Sequence, residues 1–225
     1  MSIHSLRYTP TNYKSIGFTS IKPEMRIAEQ VLKEFKQEFP YLQSSSIIGT
    51  KIDLHEGNPK CRKIIESLYR RGEDLETEID NATNALLAKR YMSIDDFLIA
   101  LKQHVKKSGK ANCAEEALII YKSLQDKGFK PQVFQMRTVL NNGLHPNHYS
   151  TVFNLKEGAR IDDPTTWGSK AIIVDGWKRI VMKATDALEF FKQTLTGAGK
   201  YKITRLYFID ANPRNHVSIP HPEDY

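Results

Sequence analysis

Apolar residues recur at helical spacing through the first half of the chain and at alternating spacing through much of the second. Steps of three and four residues predict helices over about residues 24–39, 59–70, 73–91 and 93–107. Gly72 is interpreted as the residue that separates the second helix from the third, because glycine often stands just beyond a helix end. After an irregular arm at 1–23, residues 1–107 are therefore predicted to form a mostly helical N-terminal region that selects the substrate or partner.

A further helix is predicted to begin at Cys113. Asn112 precedes it as an N-cap residue, and Gly128 ends it. A thiol at the first position of a helix lies beside unpaired backbone N–H groups and the positive end of the helix dipole. Cys113 is therefore a candidate nucleophile, and its own backbone N–H is a candidate oxyanion donor. The apolar face of the helix follows from residues at offsets of three and four: Ala117, Ile120, Tyr121 and Leu124.

Strands dominate after this helix. Alternating apolar residues and turn residues predict strands over about residues 130–139, 148–155, 171–177, 178–183 and 201–210, with one helix at 184–195. This order predicts an α+β fold in which a helix packs on an antiparallel sheet. His148 lies at the start of the second strand, and Asp175 ends the third, directly before a glycine. Residues 108–210 are predicted to form the catalytic core, followed by a loosely held tail at 211–225.

Composition and charge narrow the class of protein. The 225 residues are 40% hydrophobic and 26% charged, which is typical of a globular chain. The net charge of +7 is spread along the chain, so we interpret it as solvated helix faces and predict no nucleic-acid partner. No apolar run approaches the roughly 18 residues of a membrane span, and no signal-peptide pattern is recognised. Two cysteines, Cys61 and Cys113, fit folding in a reducing, cytoplasmic-type compartment.

Three residues on three predicted elements form a candidate catalytic set. A thiol at a helix start that packs on an antiparallel sheet can meet an imidazole from one strand, and a carboxylate from the next strand can hold the second ring nitrogen. Cys113, His148 and Asp175 occupy these positions in order, which predicts a thiolate–imidazolium pair.

The same order resembles the papain-like and transglutaminase-like cysteine enzymes. The resemblance covers about residues 109–183 and rests on Gly109-Lys-Ala-Asn-Cys113-Ala-Glu-Glu-Ala, His148-Tyr-Ser-Thr-Val-Phe-Asn-Leu and Trp167-Gly-Ser-Lys-Ala-Ile-Ile-Val-Asp175-Gly-Trp177. It implies a papain-like core, with Cys113 as nucleophile, His148 as general base and then acid, and Asp175 as orienting group. These blocks look like those of bacterial effector and toxin members, which would be secreted to act in a host cell. Members often have Asp-Pro-Trp where this chain has Asp175-Gly-Trp177.

Several alternatives stay open at the level of sequence. Asp162 or Asp163 could replace Asp175 as the acid, although no apolar strand carries them, and His145 is interpreted as a loop histidine. Gln103 is a weaker oxyanion candidate than the Cys113 N–H. A zinc site built from Cys113, His145 and His148 lacks a second cysteine, so no metal or other cofactor is predicted. Substrate contacts are predicted for Asn112, Trp167 and Trp177, and a core position fits each tryptophan equally well.

The predicted function is acyl transfer at an amide of a protein substrate, as in a thiol protease, glutamine deamidase or transglutaminase. The rival is a non-catalytic protein-binding module with a degenerate papain-like fold. Glu115 and Glu116 favour the rival, because two carboxylates in the first turn of the helix disfavour a thiolate unless they point away.

Overall fold

A computed structural model describes residues 23–45, 62–88, 92–143, 146–195 and 201–213. Residues 1–22 of the predicted N-terminal arm, Cys61, His145 and the tail beyond residue 213 lie outside the described residues. The described chain contains five helices, α1 Pro23–Glu38, α2 Arg62–Leu87, α3 Ile94–Ser108, α4 Cys113–Asp126 and α5 Ala184–Leu195. Its five strands are β1 Gln132–Leu140, β2 Asn147–Phe153, β3 Ile172–Asp175, β4 Ile180–Lys183 and β5 Ile203–Asp210, and a short 3₁₀ turn covers Pro164–Thr166.

The strands form one antiparallel sheet in the order β4-β3-β2-β1-β5. Every neighbouring pair is antiparallel, and β2 lies in the middle, between β3 and β1. The predicted α+β class, with a helix packed on an antiparallel sheet, is confirmed.

Side chains on the two faces of the sheet bury two different cores. On one face, α1, α3 and α4 pack against inward residues of the strands such as Val133, Phe153 and Val174. On the other face, α5 and the loop around Trp167 cover the alternate strand residues, including Phe134 and Ile173. This alternation is what a sheet covered on both faces requires, because successive strand residues point to opposite sides.

The N-terminal helices are packed with the helix that carries the cysteine. Phe35 of α1 and Leu101 of α3 belong to the same buried cluster as Ile120 of α4. The boundary at residue 107 therefore separates two halves of the sequence that share one core. The role of residues 1–107 in substrate selection stays a prediction. Of the helices in the described ranges, none combines the length and apolar character needed to cross a membrane.

The predicted helix break at Gly72 is wrong. Residues 62–87 form the single continuous helix α2, with Gly72 in its interior. Glycine can adopt helical backbone angles, and its cost of roughly 1 kcal/mol relative to alanine is small for a 26-residue helix. The apolar stripe continues across the glycine from Leu68 to Leu75 and Ile79, which pack together.

Replacing Gly72 by alanine tests this correction. In a continuous helix the substitution should raise the free energy of unfolding by about 0.5–1 kcal/mol, because alanine loses less backbone entropy on folding. Gly128→Ala is the matched control. Gly128 has φ +85°, so a Cβ there should destabilise the fold by about 1–2 kcal/mol although nothing lies within 4 Å of it. Urea unfolding of the wild type and both variants measures these changes in unfolding free energy. A loss of stability in Gly72→Ala would instead support a helix break at Gly72.

Candidate active site

The start of α4 is held by its capping residues. Asn112 is extended, with φ −101° and ψ −179°, and its backbone N–H donates to Oε2 of Glu115 at 2.9 Å. The Asn112 side-chain oxygen accepts hydrogen bonds from Ser44 and from the backbone and hydroxyl of Ser45, at 3.0–3.1 Å. Asn112 therefore fixes the helix start against residues 44–45, and its predicted contact with substrate stays a prediction.

Cys113 lies over the beginning of β2. The Thr151 hydroxyl donates to the backbone oxygen of Ala117 at 2.8 Å, which sets α4 against the strand. Cys113 is about one helical turn before Ala117, and Tyr149 is two residues before Thr151 on the same face of the strand. Cys113 is half-buried.

His148 bridges Cys113 and Asp175. Its Nε2 lies 2.5 Å from Oδ2 of Asp175, and both side chains are buried. Cys113 is close enough to the ring for its side chain to raise the pKa of His148. Because Asp175 occupies Nε2, Nδ1 is the ring nitrogen left to exchange a proton with the thiol. The three residues predicted from the sequence are thus brought together.

Two aromatic side chains pack against the His148 ring. The ring centroid of Trp177 lies 5.2 Å away, and that of Phe191 in α5 lies 5.0 Å away. Phe191 was not identified from the sequence, because nothing in the spacing of α5 indicates which strand residue it meets. Trp177 is half-buried and carries the Lys178 ammonium 4.2 Å from its ring centroid, so one tryptophan predicted to contact substrate does border the site.

Asp175 is held at both carboxylate oxygens. Oδ2 faces His148, and Oδ1 accepts the backbone N–H of Lys178 at 2.5 Å. That second bond spans the turn from β3 to β4, which begins at Gly176 and ends at Arg179 with φ +60°. The turn thereby orients the carboxylate toward the imidazole.

Electrostatics favour a protonated imidazole. Burial lowers the pKa of His148, but the charge of Asp175 and its hydrogen bond, together with the Cys113 side chain, outweigh burial and raise the pKa to about 10. An imidazolium beside a thiol stabilises the thiolate form, which is the reactive nucleophile.

The two glutamates that argued against a thiolate are both buried. Glu115 caps α4 through Asn112 and also accepts the Thr83 hydroxyl at 3.1 Å, and burial raises its pKa. Burial raises the pKa of Glu116 to about 8, although the nearby Arg179 opposes the shift. Burial therefore favours the protonated form of each acid and lowers the negative charge close to the thiol.

The alternative site residues lie elsewhere. Asp163 caps the 3₁₀ turn, where hydrogen bonds from Thr165 lower the pKa of its carboxyl, and that carboxyl lies at the surface. Trp167 is 1% exposed in the core behind the sheet and donates its indole N–H to the backbone oxygen of Arg160 at 2.9 Å. This placement favours the core interpretation of Trp167. Gln103 is exposed on α3.

A metal centre finds no support in the described part of the chain. Within it, no group of three or more histidine, cysteine, aspartate or glutamate side chains is placed to hold a metal ion. His145, which the zinc alternative requires, lies outside that part.

Comparison with known proteins gives a distant structural similarity. No protein-family model matches the sequence, and no curated protein matches it. Among solved structures, LapG of Legionella pneumophila superimposes over 80% of this chain and 94% of its own, with 12% sequence identity and a TM-score of 0.29. A similarity of this size supports no conclusion about family or activity. The site is therefore interpreted from its own geometry.

The buried acid Glu116 should make stability depend on pH. In the folded state its pKa is about 8 rather than 4.5, so the folded protein binds more protons than the unfolded chain between these values. The stabilisation it provides is complete below about pH 4.5 and is lost as the pH rises toward 8.

Glu116→Gln removes this proton and should flatten the dependence. Relative to the variant, the wild type should lose on the order of a few kcal/mol of unfolding free energy across that range. The raised pKa of His148 adds a second loss of stability as the pH rises above 6.5, the ordinary pKa of histidine. This loss is common to the wild type and Glu116→Gln. Urea unfolding at about pH 5 and about pH 8.5 measures the difference. Parallel curves would show that Glu116 is already ionised at low pH.

Proposed function

We propose that this protein is a cysteine-dependent acyl-transfer enzyme that acts on an amide of a protein substrate. The observation that supports the proposal is the buried contact of His148 with Asp175, made where the Cys113 side chain is close enough to raise the pKa of the same imidazole. The thiol stands at the first position of α4, where unpaired N–H groups are available to an oxyanion.

The reaction follows from these positions. The Cys113 thiolate attacks the amide carbonyl carbon, and the carbonyl electron pair moves to oxygen, which the N–H groups of the first turn stabilise. When the tetrahedral intermediate collapses, the C–N bond breaks and the His148 imidazolium gives its Nδ1 proton to the leaving nitrogen. A thioester on Cys113 remains. His148, now neutral, takes a proton from water or an amine as that nucleophile attacks the thioester and releases Cys113.

The acyl acceptor and the amide determine the overall reaction. Attack on a backbone peptide followed by water is proteolysis. Attack on a glutamine side chain followed by water is deamidation, and followed by an amine it is crosslinking. A cysteine N-acyltransferase would use the same three residues. All four reactions share the Cys113 thioester, so the first test concerns that cysteine.

Alkylation of Cys113 by iodoacetamide tests the pair directly. In a Cys61→Ser background, the wild-type site should react rapidly well below the ordinary thiol pKa of about 8.5, because the imidazolium stabilises the thiolate. His148→Ala should slow this low-pH reaction by at least about tenfold. The rate is measured across pH by mass spectrometry of the labelled peptide.

The binding-module alternative predicts the opposite result. Labelling that follows the ionisation of a free thiol and ignores His148 would rule out the catalytic interpretation and turn attention to binding partners. Circular dichroism of each variant serves as the control for folding.

The two candidate acids provide a matched pair of substitutions. Asp175→Asn should reduce the His148-dependent labelling by at least about tenfold, because an amide cannot stabilise the imidazolium as a carboxylate does. Asp163→Asn removes an acid at the surface and should leave the rate unchanged within about twofold. Equal effects of the two substitutions would show that Asp175 does not orient His148.

A further inference from the structure

Glu116 packs directly on the turn that carries Asp175. A Cβ built on Gly176 would lie 2.8 Å from Oε2 of Glu116, 3.0 Å from its Cβ and 3.0 Å from Cδ1 of Ile120. These separations are shorter than ordinary van der Waals contact. Position 176 therefore accepts glycine because α4 occupies the space where a side chain would stand.

The contact gives a physical reason for the residue that follows Asp175. The resembling enzymes often have proline there, and proline carries a Cβ. With Glu116 and Ile120 pressed against the turn, a residue other than glycine must push these side chains aside or shift the turn. Because Oδ1 of Asp175 accepts the Lys178 N–H within the same turn, a shift of the turn would also move the carboxylate that holds His148.

The buried Glu116 side chain lies among other titratable and charged groups. It is 2% exposed, and its Oε2 has no hydrogen-bond partner among the residues that the structure describes. Four charged or titratable groups act on it from the surrounding elements: Arg179 of the β3–β4 turn, Asp175 of β3, His148 of β2 and Glu115 of α4.

Arg179 does not neutralise the carboxyl by a direct contact. Its Nη2 donates to the backbone oxygen of Phe39 at 3.3 Å, and its guanidinium lies 4.9 Å from the ring centroid of Phe35. The other terminal nitrogen, Nη1, is buried without a partner in the described part of the chain. An ionised carboxylate with one bare oxygen beside Asp175 would be costly, whereas an uncharged acid is tolerated there.

We propose that Glu116 is a positioning residue of the Cys113–His148–Asp175 cluster. Held as an uncharged acid, its side chain fills the space above Gly176 and fixes the turn that presents Asp175 to His148. The inference concerns the site of the proposed function and deepens it by assigning a fourth residue, which acts through Asp175 and does not touch the substrate.

The first experiment reads the His148–Asp175 hydrogen bond without any catalysis. The imidazole N–H proton that is shared with Asp175 should give a downfield NMR signal in the wild type, assigned by its loss in His148→Ala. Glu116→Gln keeps the shape of the side chain and should keep the signal. Glu116→Ala empties the space above Gly176 and should lose or broaden it.

Leu124→Ala is the matched control for general destabilisation. Leu124 is fully buried on the same helix, more than two helical turns after Glu116. It should lower the thermal midpoint of unfolding as Glu116→Ala does, but leave the NMR signal in place. If Leu124→Ala also loses the signal, or if Glu116→Ala keeps it, Glu116 has no positioning role.

The charge state is tested by infrared spectroscopy. At about pH 6, the wild type should show the carbonyl band of a buried protonated carboxylic acid that is absent from Glu116→Gln. A carboxylate band at that pH that the wild type shows and Glu116→Gln lacks would contradict the uncharged acid and favour an ion pair with Arg179.

Alkylation of Cys113 then links the result to the proposed chemistry. The His148-dependent rate should stay within about twofold in Glu116→Gln and fall at least about tenfold in Glu116→Ala, because small displacements in a site cost large factors in rate. Equal losses in both variants would overturn the proposal. A wild type without His148-dependent labelling would defeat the proposed function alone, since the NMR and infrared results would still decide the role of Glu116.

Discussion

The buried hydrogen bond between His148 and Asp175 is the interaction on which the rest of the site depends. A carboxylate and an imidazole this deeply buried are tolerated only if each is paired and further bonded, because desolvation of an isolated charge is costly. Asp175 meets that requirement through the Lys178 N–H, and the His148 ring is packed by Trp177 and Phe191. These supports come from three places: the sheet, the β3–β4 turn and α5. The His148–Asp175 pair therefore depends on elements from different parts of the fold.

The position of α4 adds the second constraint. Its first turn must bring a thiol to the free edge of the His148 ring while its body fills the core beneath α1 and α3. The Thr151–Ala117 hydrogen bond fixes the helix against β2, and the capping contacts of Asn112 and Glu115 fix its first turn. A helix shifted by one turn would bury the same apolar face but would remove Cys113 from His148.

Local signals account for the parts of the fold and the site that were predictable from the sequence. The N-cap at Asn112, the helical period that follows it, and an aspartate that ends a buried strand before glycine each depend on neighbouring residues, and they led to Cys113, His148 and Asp175. The continuity of α2 through Gly72 is harder to predict, because a glycine is typical of a helix end, whereas the apolar stripe that continues on both sides of it indicates one helix. Phe191 and the fit of Glu116 over Gly176 join elements that are far apart in sequence, and no local pattern encodes such contacts.

The same buried layer explains how two extra acids can accompany a thiolate–imidazolium pair. From the sequence, Glu115 and Glu116 counted as negative charges in the first turn of α4, and that count favoured an unreactive thiol. Burial reduces this negative charge, because it raises the pKa of both carboxyls and favours their protonated forms. With Glu116 uncharged, the neighbouring carboxyl group that raises the pKa of His148 is that of Asp175, which contacts the ring. Acidic residues beside a nucleophilic cysteine are therefore evidence against activation only where water keeps them ionised.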